Sequence, residues 1–151
     1  IHSEKDLAGL KTIAEKNTIY FDFISQLNAS VLKENPAKMS PAVSGDEKLA
    51  ELESEKIDFA VIDVGTALQL TNPKLSNYKN IYPAFPVGPT SWGGWGFRKE
   101  DGSLQRHAEM FFADQIADKE GGINVVFKKY YGVTHSEYLN ILTSVDGIKS
   151  E

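Results

Sequence analysis

The sequence predicts an α/β fold: an open, doubly wound sheet of about five strands with flanking helices, followed by helices alone. Three observations predict it. The run 57–62 (IDFAVI) is apolar, rich in strand formers and closes on Asp63, the pattern of a parallel strand covered on both faces. Around it, strand-like and helix-like segments alternate as βαβαβαβ over residues 1–97. Beyond the glycine-rich stretch 91–99 (SWGGWGFRK), only helical periodicity remains.

The composition narrows the function classes. The chain has 151 residues, enough for one domain or for one lobe and part of another, and 41% of them are hydrophobic, enough for a core. A net charge of −5 argues against a nucleic-acid partner, because no basic patch is available to neutralise phosphates. The absence of cysteine removes disulfides, thiol catalysis and thiolate metal sites together. No apolar run approaches the roughly 20 residues of a membrane-spanning helix. A chain that opens on Ile1 rather than Met leads us to expect a leader, tag or upstream domain before it.

In chain order, residues 11–15 (KTIAE) read as a strand. Asn17 and Thr18 start a helix that runs to about residue 34, with Tyr20, Phe23, Ile24, Leu27 and Val31 as its buried stripe. Asn35-Pro36 stops it. Residues 38–43 form an edge or bulged strand, because Pro41 cannot donate to a ladder. Ser44 and Glu47 match a capping box that opens a helix carrying Leu49 and Leu52. After the central strand, a helix covers 64–70. Residues 80–85 read as another strand, and Pro83, Pro86 and Pro89 break regular structure in and after it. Alternation of Trp95, Phe97 and Lys99 marks an extended crossing, with Gly93, Gly94 and Gly96 as a hinge. Residues 104–119 form a helix with Leu104, Ala108, Phe111, Phe112 and Ile116 on one face, ended by Gly121-Gly122. A further helix with Ile123, Val126, Phe127 and Tyr130 ends at Gly132. Thr134 and Glu137 form a second capping box, opening a short helix with Tyr138, Leu139, Ile141 and Leu142, and the tail frays from Asp146.

This order of segments resembles the type 2 periplasmic substrate-binding proteins, two-lobed clamshells around a small ligand. SEKDLAGLKT at 3–12 resembles the entry to their second lobe, and Lys16-Asn17-Thr18 stands where they have a small polar turn and helix start. LAELESEKIDFAVID at 49–63 resembles their segment "L-x-x-G-x-I-D-A-v-i-x-D", with Glu55 where glycine is usual. WGFRKED at 95–101 resembles the return crossing, and FKKYYG at 127–132 the closing "i-x-x-K-y-f-G". The resemblance implies one ligand-binding lobe at 1–97 and a helical return at 98–151, with the first lobe outside this chain. A similar sensor lobe occurs in the membrane-bound lytic transglycosylase F family. This chain has Val64 where that family tends to have Ser and lacks its E-S-x-W catalytic segment.

Asp63 is the first candidate for ligand contact, since ligands of open α/β sheets bind at the carboxyl ends of strands. The competing structural role is to N-cap the helix at 64–70. The resemblance implies that this carboxylate meets a ligand amino group, while the amides and hydroxyl at Asn17 and Thr18 meet a ligand carboxylate, with Thr66 behind. A helix start favours an anion by roughly 0.3–1 kcal/mol. Arg98 is a further candidate for a ligand carboxylate, against the plainer reading of a solvated arginine. Trp92 and Trp95 are candidates for stacking on a ligand, against packing on the absent lobe. His2, His107 and His135 lack ligand spacing, so no metal and no cofactor is expected. Glu109 and Asp114 read as a solvated helix face, and Asn28-Ala29-Ser30 is a sequon placed inside a helix.

The function expected is therefore non-catalytic binding of a small polar solute, an amino acid or peptide, by a periplasmic transport or sensor protein. Its partners are the ligand, the missing lobe, and a membrane permease or catalytic domain, with no nucleic acid. Two rivals stay open: the sensor domain of a lytic transglycosylase that binds cell-wall peptides, and the extracellular sensor lobe of a signalling receptor. The apolar faces of residues 104–131 predict that this chain self-associates through them or folds them back on its own lobe.

Overall fold

The computed structural model describes residues 1–41, 45–72, 76–88 and 94–148. The chain forms two compact units, Ile1–Gly88 and Pro89–Glu151. The sequence-based boundary lies further on, at 97.

In the first unit a 3₁₀ turn, Glu4–Leu7, drops Leu7 into the core. Gly9 then turns the chain with φ 72°; a Cβ there would lie 2.8 Å from the Asn35 amide nitrogen, so the turn needs glycine. β1 (Lys11–Ala14) and β2 (Lys38–Pro41) pair in parallel, Lys11 with Lys38 through Ala14 with Pro41. α1 (Ile19–Ala29) connects them, because parallel neighbours need a crossover rather than a hairpin. α2 (Gly45–Glu53) and α3 (Val64–Thr71) come next. Leu7, Leu27, Leu32, Ala37 and Phe59 form the core cluster, with Ala8, Leu10, Phe23, Val61 and Phe85 packed on it. Ile24, Ile13 and Ala14 are buried as well.

The five-stranded doubly wound sheet is not formed. The described chain is mostly helical, and its sheet has two strands. The competing hydrogen bonds explain why. At 57–62 the amides of Asp58 and Phe59 both donate to the Lys11 carbonyl, 2.9 and 3.3 Å. The Lys11 amide donates to the Asp58 carboxylate at 2.7 Å rather than to a strand carbonyl. The run thus touches the open edge of β1 at its start and goes no further as a ladder. At 80–85 the first amides are taken elsewhere: the Glu53 carboxylate accepts from Lys79 and Asn80, 3.2 and 3.3 Å. Pro83 has no amide to give. Residues 94–98 also lack regular structure.

The first long helix stops at Ala29, short of the expected 34. The Ser30 hydroxyl donates back to the Gln26 carbonyl at 2.7 Å, and the Leu32 amide closes a wide turn on Leu27. Val31 consequently leaves the buried stripe and is exposed. Asn28 clamps the return to β2, its amide donating to the Ala37 carbonyl and accepting from the Ala37 N–H, 2.9 and 2.8 Å. Glu55, standing where the resembled segment has glycine, holds φ 58°. That is the left-handed region, which costs a side chain roughly 1–2 kcal/mol. Ser44 of the first capping box, and residues 42–43 of the second predicted strand, lie outside the described residues.

The second unit carries α4 (Gly102–Ala117), α5 (Gly122–Tyr131) and α6 (His135–Ile148). The α4–α5 corner is held by the Asp118 carboxylate, which accepts from the Glu120 and Gly121 amides, 3.1 and 2.8 Å. Gly132, at φ 76°, ends α5 in the left-handed conformation. The capping box that opens α6 forms as its spacing predicts. The Glu137 amide donates to the Thr134 hydroxyl at 3.2 Å, while the Thr134 amide and hydroxyl donate to the Glu137 carboxylate, 2.6 and 2.8 Å. Phe127, Tyr131, His135 and Tyr138 stack their rings at 5.1–5.5 Å where α5 meets α6. Asn124 is the one buried side chain among residues 94–142 of this unit.

Candidate functional site

One edge of the first unit collects polar groups from four segments. β1 ends at Ala14 and is followed by Glu15. Asn17, exposed and at φ 64°, turns the chain from β1 toward α1. Thr18 is the N-cap of α1: its hydroxyl accepts from the Phe21 amide at 3.3 Å and donates to the Glu15 carbonyl at 2.6 Å. Tyr20 stands in the first turn of the helix.

Asp63 closes the 57–62 run and takes the capping role. Its Oδ1 accepts from the Thr66 amide at 2.9 Å and its Oδ2 from the Thr66 hydroxyl at 2.7 Å. The side chain is exposed. Capping orients the carboxylate without using all its lone pairs, of which a carboxylate has about four. Thr66 therefore stands behind Asp63 as a positioning partner.

Lys48 was not among the residues that the sequence singled out. It sits on α2 and is only 5% exposed, unusual for a lysine. Its Nζ lies 4.4 Å from the centre of the Tyr20 ring and 3.5 Å from the Val61 carbonyl oxygen. Burial pushes its amine below the ordinary lysine value, and the charges of Glu15 and Asp63 oppose that shift. Burial, and then the charge of Asp63, raise the Tyr20 phenol. Asp63 is thus electrostatically in touch with both. The available signal was spacing: Lys48 and Leu52 are four apart and share one face of α2.

Asn17, Thr18, Asp63 and Thr66 all belong to the first unit, where Lys48 lies against Tyr20 and Val61 and within the field of Glu15 and Asp63. Arg98 belongs to the second, exposed, its carbonyl accepting from the Asp101 amide at 3.0 Å. Trp95 is 72% exposed and packs edge-on against Phe112 with ring centres 5.1 Å apart. Trp92 lies outside the described residues.

The second unit offers a different feature. Phe111, Phe112, Gln115, Ile123, Val126 and Phe127 line an open apolar hollow of about 250 Å³ between α4 and α5. Leu104, Phe111, Ile116, Val126 and Tyr130, expected to be covered, are each 45% exposed or more.

Compared with protein-family models, with curated proteins and with solved structures, the chain matches none.

Proposed function

We propose that the first unit binds a small zwitterionic solute, an amino acid or short peptide, without transforming it. The observation that carries this reading is a buried Lys48 ammonium held against the Tyr20 ring and the Val61 carbonyl, in the field of Glu15 and of Asp63, the exposed cap of α3. The set offers anionic groups to an ammonium, and the start of α1 at Thr18 offers its positive end to a carboxylate. The resemblance to the periplasmic solute-binding proteins supports the same reading. It brings with it an exported, periplasmic setting and a partner lobe, permease or catalytic domain.

The test is calorimetry of the chain against the common amino acids and cell-wall-type peptides, repeated with Asp63→Asn. Asparagine caps a helix about as well as aspartate, so the fold is spared while the charge is lost. Binding weakened by about 1.5–3 kcal/mol, one charge-assisted hydrogen bond, supports the proposal. Unchanged affinity of a bound amino acid rejects the role of Asp63.

A further inference from the structure

We propose that Glu15, Tyr20, Val61 and Asp63 form a receptor for a primary ammonium group, and that Lys48 is its built-in occupant, displaced when a ligand amine binds. The inference rests on the reading that Asp63 meets a ligand amine, and it deepens it.

An ammonium offers three donors and a full charge. It is recognised by an aromatic face, by carbonyl oxygens and by carboxylates. Two kinds lie at the Lys48 Nζ, the Tyr20 ring at 4.4 Å and the Val61 carbonyl at 3.5 Å, and the charges of Glu15 and Asp63 favour the ammonium from further off. The four come from four different places: the end of β1, the first turn of α1, the 57–62 run and the cap of α3. The ammonium enters from a fifth, α2.

The fit of Lys48 is loose. Its contact to Val61 is at the outer limit of a hydrogen bond, so its donors are incompletely satisfied. A lysine on a helix can swing its flexible stem outward and return its head to water. Burial disfavours its charged form where it sits, so release recovers hydration. A free ammonium ligand is not tethered to α2 and can settle closer to the carbonyl and the carboxylates. Lys48 thus keeps the charge of the empty site balanced and competes with the ligand, making affinity depend on how readily α2 lets it go.

The experiment uses the full chain with Lys48→Ala. That change removes three carbons and the ammonium, the atoms of n-propylammonium. Thermal unfolding is followed with n-propylammonium chloride and, separately, with n-propanol. The expected result is a saturable rise of about 2–5 °C for the variant with n-propylammonium. The wild type should need more n-propylammonium for the same rise because Lys48 competes, the n-propanol samples should not rise, and adding Asp63→Asn should abolish the effect. No rise, an equal rise with n-propanol, or an equal rise in wild type overturns the proposal.

If Lys48→Ala does not fold, the wild-type protein answers through its ¹⁵N-labelled lysine Nζ resonances. Glu15→Gln and Asp63→Asn should each lower the titration midpoint of Lys48, and an unmoved midpoint in both overturns the proposal. The two readings separate cleanly. An amino acid that binds wild type and Lys48→Ala alike keeps zwitterion binding and removes the displaced lysine. n-Propylammonium captured by Lys48→Ala, with no amino acid bound by either protein, does the reverse.

Discussion

The two units bury their interiors by opposite means. All the buried large hydrophobic side chains among the described residues lie in the first, from Leu7 to Phe59. Over residues 94–142 the second buries one side chain, and it is polar. Two buried polar groups, Thr12 in the first unit and Asn124 in the second, are treated differently. Asn124 is satisfied: its amide donates to the Asp118 carbonyl at 3.0 Å and its oxygen accepts from the His135 amide at 3.1 Å. The Thr12 hydroxyl of β1, with the residue 1% exposed, has no hydrogen-bond partner. The first unit is held by apolar packing strong enough to carry an unsatisfied hydroxyl. The second is held at its corners by caps, rings and one amide, while its apolar faces stay open.

The largest expected effect tests that contrast directly. Ile24 is fully buried in α1, so Ile24→Ala should cost about 2–5 kcal/mol in urea unfolding of the first unit. Phe111, 57% exposed on α4, should cost well under about 1 kcal/mol when changed to Ala. A Phe111→Ala loss that matches Ile24→Ala and grows with protein concentration would mean that a second copy covers this face.

Next in size is Asn124→Leu. It adds apolar volume but removes one bond within the α4–α5 corner and one to α6, leaving the Asp118 carbonyl and the His135 amide without these partners. We expect a loss of about 1–3 kcal/mol. A gain would show that the second unit has an apolar core after all.

Thr12→Val should act in the other direction. Valine keeps the shape and strand preference and removes the unpaired hydroxyl, for a gain of about 1 kcal/mol in the first unit. A loss would mean that the hydroxyl has a partner in solution.

The smallest effect is electrostatic and confined to the second unit. Hydrogen bonds from the Thr134 backbone, and then its hydroxyl, hold the Glu137 carboxyl below its ordinary 4.5. With the folded value depressed, the native state binds fewer protons than the unfolded chain in that range. The contribution is therefore complete above the ordinary value and is lost as pH falls through the folded one. Helicity of α6 followed by amide exchange should drop over that acid range. Glu137→Gln should flatten the dependence, and an identical profile in the variant would remove the capping box as its source.

Much of the helical part of this fold was legible from short stretches. Thr18, Asp63, Thr134 with Glu137, and Gly132 cap the helices that their positions announce. Each cap is settled between residues two to four apart, so neighbours in sequence decide it. The parallel strands at Lys11–Ala14 and Lys38–Pro41 were legible for a related reason, since one short helix and its stop separate them. The candidate site was legible in part: Thr18 and Asp63 stand at element ends, where function and capping draw on the same residue types.

What distant parts of the chain decided was whether strand-like segments pair. The run 57–62 has the composition of a central strand, yet Asp58 takes the Lys11 amide that a ladder would need. Glu53 likewise takes the amides that open 80–85. Backbone donors are few and each serves once, so a carboxylate far away in sequence can cancel a strand that composition favours. Lys48 obeys the same logic. Its spacing from Leu52 puts it on one face of α2, but it is buried because Tyr20 and Val61 arrive from other segments to receive its ammonium.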